Sequence, residues 1–225
     1  MAHPPQVLMS SARKELVARF QQDILAGKRQ SHDTLFRTLY GIPAALQIEL
    51  ARYMTARYLP IFRSHRTDLR WVDSVLADVD AYFGPHGRGL PEATPADLIP
   101  GDIQFTTCVF LLADAWRYAH RNEQGELTAI CGSIVIDAVA ARAANVWRAD
   151  DPEAVQAFET DDTDHWVGRT SQDNVASRAV RQREWLVVAS WLDEHAIGSH
   201  PAIPDSEVAE REKALVAWQD REYLF

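Results

Sequence analysis

A chain of 225 residues, 47% apolar and 24% charged, has the composition of a folded globular domain and not of a disordered one. Its net charge of −9 argues against a nucleic-acid binder, which would normally carry a basic face. Two cysteines, Cys108 and Cys131, make neither a disulfide framework nor a zinc site. The opening Met1, Ala2, His3, Pro4 and Pro5 lack the basic and apolar segments of a signal peptide, so a cytoplasmic protein is expected.

The punctuation along the chain is that of helices. Ser10 and Ser11 are suited to capping a helix over residues 12–26, with Val17, Phe20, Ile24 and Leu25 as its apolar stripe and Gly27 as a left-handed stop. A short helix starts around residues 31–33 and stops at Gly41. Pro43 suits a first helical position, and Leu46, Leu50 and Met54 recur at helical spacing over residues 44–58. Thr67 caps a helix over residues 68–83, where Leu69, Val72, Val75, Leu76 and Val79 share one side. Residues 84–100 hold three glycines and four prolines and read as a long loop. A subdomain break in that loop is the alternative to a single helical domain over residues 1–225.

Residues 102–120 and 127–147 form an αα-hairpin across the polar stretch 121–126. The second helix is apolar almost all round, and Gly132, Ala138, Ala140, Ala141, Ala143 and Ala144 let neighbours approach it closely. Asp137, Arg142 and Asn145 interrupt it, so it reads as a buried core helix and not as a membrane span. Asp151, Pro152 and Glu153 start a helix that runs to Phe158. A long helix over residues 172–196 is nearly all apolar from Trp185 to Leu192, and an amphipathic helix over residues 206–221 follows. The fold class is all-α, a multi-helix bundle of about eight to nine helices around the central hairpin.

Chemistry is harder to find. Glycine-rich nucleotide loops, H-E-x-x-H, C-x-x-C, G-x-S-x-G and the Glu-x-x-His of di-iron bundles are all absent, and no cofactor is expected. Charge is the most uneven property. Residues 149–164 contain seven acids and no lysine or arginine, and Arg169, Arg178, Arg181 and Arg183 follow against Asp173 and Glu184. Asp161, Asp162, Asp164 and His165 have donor atoms for a divalent cation but lack the glycine and distal glutamate of a calcium loop. A solvated acidic loop is the better reading, and no metal is expected. Trp166 beside it suits an interface anchor.

Asp137, in the most apolar helix, needs a partner, a cavity or a proton. A structural ion pair with an arginine is the commoner solution. The functional one is a polar pocket formed with Asp114 and His120. Gly84, His86, Gly87, Arg88 and Gly89 have the composition of a phosphate-wrapping loop but no strand-to-helix context. His65, His120, His165 and His195 fall near helix ends, where an imidazole can bond the last carbonyls or simply face water.

An acidic, arginine-rich, tryptophan-rich helical domain without catalytic motifs resembles the helical immunity proteins that bacteria encode beside polymorphic or contact-delivered toxins. The alanine-rich helix over residues 130–147 and the acidic segment after it carry the likeness. The resemblance implies a cytoplasmic, non-catalytic binder that occludes a toxin domain, often a basic nuclease. Asp161, Asp162 and Asp164 would then steer a basic protein partner, with His165 and Trp166 in contact. The alternative is an enzyme or small-ligand binder with a polar site around Asp114, His120 and Asp137. A third reading is a scaffold that forms a homodimer through residues 185–192 or the last helix.

Overall fold

The computed structural model describes residues 5–28, 32–40, 42–66, 69–77, 101–150 and 175–195. These residues are overwhelmingly helical and include no strand, so the described part of the chain is an all-α helical bundle. The expected helices over residues 151–158 and 206–221, and the loop over residues 84–100, lie outside the described residues.

Helix α1, Pro5–Leu25, begins earlier than the serines suggest. Pro5 opens it, where a missing N–H costs nothing, and Ser10 and Ser11 are interior residues instead of caps. Its end is as expected. Gly27 has φ of 71°, and the Lys28 N–H reaches back to the Asp23 carbonyl at 2.9 Å. In α2, His32–Leu39, the side chains of Leu35, Phe36 and Leu39 are buried.

Helix α3, Ala44–Ala56, is shorter than its apolar pattern predicts, and a separate helix α4, Leu59–His65, follows it. Pro60 explains the break. Within a continuous helix its ring would clash with the carbonyl four residues back, that of Ala56, where α3 ends. At the start of α4 the same proline is well placed. Helix α5, Trp71–Ala77, turns Val72, Val75 and Leu76 inward.

Helices α6, Asp102–Arg121, and α7, Gln124–Asp150, are separated by Asn122 and Glu123 alone, where the sequence predicts a six-residue connection. Asn122 makes the tight link with φ of 58°, a left-handed conformation that asparagine tolerates better than most residues. The Cys108 thiol donates to the Ile134 carbonyl at 3.4 Å, and Gly101 backs onto Ala141. Together these contacts make the two helices antiparallel.

Helix α7 also packs against α2, α3 and α8, Val175–His195, and so occupies the middle of the core. Residues Gln124–Val146 are long and apolar enough to cross a membrane, but 72% of their most apolar window is buried inside the protein. In α8, Trp185, Val188, Ala189, Trp191 and Leu192 are buried, and Trp185 meets Phe20 edge-on at 6.0 Å. The run offered as a dimer face is therefore largely core.

Candidate functional site

Asp161, Asp162, Asp164, His165 and Trp166 lie outside the described residues, as does the glycine-rich stretch 84–89. Asp114, His120 and Asp137 are described, and the structure does not bring them together. Asp114 is 42% exposed and accepts a hydrogen bond from Arg117 at 2.7 Å. His120 stacks on Trp116 at 3.6 Å and donates from Nδ1 to the Trp116 carbonyl at 2.9 Å. His195 repeats that arrangement on Trp191, so both histidines bond carbonyls near their helix ends, as their positions suggest. Asp137 instead lies near enough to Cys108 for its charge to act on the thiol. At 1.5 Å per residue, Asp114 is roughly 9 Å along α6 from His120, and Cys108 is roughly another 9 Å beyond it.

Asp137 is partly buried and has no hydrogen-bond or ion-pair partner among the described residues. Burial raises its carboxyl from the usual aspartate range to about 6. Burial, with the Asp137 charge adding to it, also pushes the Cys108 thiol up. No arginine among the described residues pairs with Asp137. Arg142, on the same helix, turns instead to Glu184, which is completely buried on α8. Arg57 clamps Glu184 from two sides, Nε to Oε2 at 2.6 Å and Nη2 to Oε1 at 3.0 Å. The Arg142 Nε lies 3.4 Å from Oε1, and its Nη1 donates to the Arg57 carbonyl at 3.2 Å. This cluster ties α7 and α8 to the end of α3.

A concave surface with polar and apolar lining forms around α4 and α5. A cavity of about 240 Å³ is lined by Leu59, Phe62, Arg63, Arg66, Leu69, Arg70 and Asp73. Phe62 is buried in its floor and packs on Phe105 at 4.7 Å. Arg63 donates from Nε to the Asp73 carboxylate at 2.6 Å. The break between helices at Pro60 separates α3 from α4, which carries Phe62 and Arg63.

Next to this cavity, His65 Nε2 contacts both oxygens of Asp102, at 3.0 and 2.8 Å. Asp102 is fully buried at the start of α6, where the helix dipole favours its charge, and the Tyr58 hydroxyl also donates to it at 3.0 Å. Ser64 Oγ lies 3.4 Å from His65 Nδ1, which completes the residue types of a Ser-His-Asp relay. The chemistry does not follow from the types. The Ser64 hydroxyl gives its proton to the Ile61 carbonyl at 2.6 Å, so it is not poised to give it to the imidazole. The His65–Asp102 contact holds the end of α4 against the start of α6.

The sequence assigns no role to Asp102, to the three arginines of the cavity or, beyond its place in the charge pattern, to Glu184. A signal for the arginines was present, since Arg63, Arg66 and Arg70 fall within eight residues of an otherwise acidic chain. Among the described residues, no group of three or more His, Cys, Asp or Glu side chains is arranged to hold a metal ion. Compared with known proteins, the chain matches no protein-family model, no curated protein sequence and no solved structure.

Proposed function

We propose that this chain is a non-catalytic protein-binding inhibitor, immunity-protein-like, that neutralises a basic bacterial toxin domain. The observation that carries the reading is the seven acids in residues 149–164, without a lysine or arginine among them and with Trp166 just beyond. A concentrated negative patch accelerates association with a basic partner, and an adjacent aromatic supplies area that the partner can desolvate. The interior is consistent with it. The buried side chains of α6 and α7 include Phe105, Val109, Leu112, Ile134, Val135 and Ala138, which pack as a core and not as the wall of a reaction site. In this reading the whole bundle has about eight to nine helices, with the α6–α7 hairpin at its centre.

The test is capture by the full chain at low and moderate salt, beside a variant with Asp161, Asp162 and Asp164 all changed to lysine. One basic partner, held at low salt, weakened at higher salt and lost by the variant, is the expected result. Equal capture by both proteins with the same salt response overturns the reading. So does the absence of any captured partner.

One observation favours the alternative of a small-ligand binder or enzyme. Asp137 carries a carboxyl raised to about 6 and has no ion-pair partner among the described residues. That reading narrows to Asp137 with Cys108, since Asp114 and His120 are engaged elsewhere. It predicts a ligand whose binding raises the melting temperature of the native chain but not of Asp137→Asn.

A further inference from the structure

We propose that the solvent side of the Arg57–Glu184–Arg142 cluster binds a small aromatic carboxylate, with its ring against Tyr53. This site is separate from the acidic segment and does not rest on the inhibitor reading.

Both oxygens of Glu184 are taken by Arg57, through Nε at 2.6 Å and Nη2 at 3.0 Å. Arg142 is matched less well. Its Nε is sealed from solvent 3.4 Å from Glu184 Oε1 and makes no hydrogen bond, and its Nη1 donates to the Arg57 carbonyl. Among the described residues neither arginine has a further hydrogen-bond or ion-pair partner. Two guanidinium groups therefore share one buried carboxylate, and the cluster keeps a single positive charge. Both arginine side chains are only about a quarter exposed, 26% and 27%, so water screens that charge poorly. An unmatched charge in such a place is costly, and a bound monoanion cancels it.

The donors for the anion are identifiable. Arg57 Nη1 and Arg142 Nη2 are left without a hydrogen bond among the described residues, and solvent reaches both. They belong to guanidinium groups that converge on the same carboxylate, one from the end of α3 and one from α7. Guanidinium N–H groups match the planar oxygens of a carboxylate, and one excess charge suits a carboxylate better than a doubly charged phosphate. Tyr53 sets what carries it. Its ring lies 5.9 Å from the Arg57 guanidinium carbon, and the residue is 39% exposed. A flat aromatic body can cover that ring while its carboxylate reaches the arginines.

The experiment titrates the full chain with benzoate, acetate, inorganic phosphate and the neutral benzyl alcohol, following the arginine side-chain signals by NMR. Saturable shifts of Arg57 and Arg142 with benzoate are expected, at Kd of about 1 mM or tighter. Acetate and phosphate should bind at least about threefold more weakly, and benzyl alcohol not at all. Arg142→Lys keeps the charge but loses the planar fork, and should weaken benzoate by about tenfold. Tyr53→Ala, at an exposed position, should keep the fold and bring benzoate down to the affinity of acetate. Absence of a saturable shift in either arginine up to roughly 10 mM benzoate overturns the proposal, as does equal benzoate affinity in wild type and Arg142→Lys. Tighter binding of phosphate than of benzoate overturns the headgroup.

Discussion

His65 and Asp102 meet 2.8 Å apart where the end of α4 touches the start of α6, and the carboxylate in that contact has no exposure to solvent. A buried aspartate is stable only while its oxygens are bonded. Here the bonds come from His65, from the Tyr58 hydroxyl and from its place in the first helical turn. Asp102→Ala therefore removes a group on which two others depend and leaves the Tyr58 hydroxyl without that acceptor. A loss of about 3 kcal/mol, or roughly 6–12 °C in Tm, is expected by thermal unfolding. His65→Gln, which keeps a donor near the carboxylate, should cost less than half of that. Equal melting temperatures for wild type and Asp102→Ala would show that the contact contributes nothing.

Two ion pairs of similar length should differ sharply in worth. Glu184 is buried between Arg57 and Arg142, and truncating it strands two half-buried guanidinium groups. Glu184→Ala should lose about 3–5 kcal/mol in urea unfolding. Asp114 and Arg117 are both largely exposed, on one helix face, where water and salt screen the pair. Asp114→Ala should change stability by less than about 0.5 kcal/mol. The comparison tests burial directly, because the Arg–carboxylate distances are 2.6 and 2.7 Å.

These two cases also show what a single sequence can and cannot disclose. Helices α1, α3, α6, α7 and α8 follow from apolar residues at helical spacing, because that pattern is local and burial of one face produces it. The split between α3 and α4 was also written locally, in Pro60, but the apolar run through Tyr58 conceals it. The pairing of Arg57 with Glu184 spans 127 positions and has no local signature at all. Glu184 reads as one more surface charge until the fold places two arginines on it. Asp137 shows the opposite. Its apolar surroundings were legible, and no arginine among the described residues pairs with it.

The two described glycines with positive φ should respond differently to alanine. Gly27 has φ of 71° with open space where a Cβ would go, so Gly27→Ala meets only the left-handed backbone penalty of about 1–2 kcal/mol. Gly101 has φ of 94°, and a Cβ there would collide with the Tyr58 hydroxyl and come within 3.0 Å of the Ala141 carbonyl. Gly101→Ala must displace the tyrosine that bonds Asp102, so its cost should exceed that of Gly27→Ala by about 2 kcal/mol or more. Urea unfolding of the two variants checks the order, and a larger loss for Gly27→Ala would contradict the packing around Tyr58.

Asp137 gives the pH dependence a definite sign. Its carboxyl is raised to about 6 by burial, against an unfolded value of about 3.9, so between those values the native chain holds a proton that the unfolded chain has released. The stability this provides is fully present below about pH 4 and is lost as pH rises through 6, because the ionised carboxylate is disfavoured where it sits. The loss is on the order of 2–3 kcal/mol at neutral pH. Asn cannot ionise, so Asp137→Asn should be more stable than wild type by about that amount at pH 7.5 and nearly equal to it at pH 4. Unfolding both proteins in urea across that range isolates the one group, since every other titration is shared. A difference that stays constant with pH would mean that Asp137 ionises as freely in the folded chain as in the unfolded one.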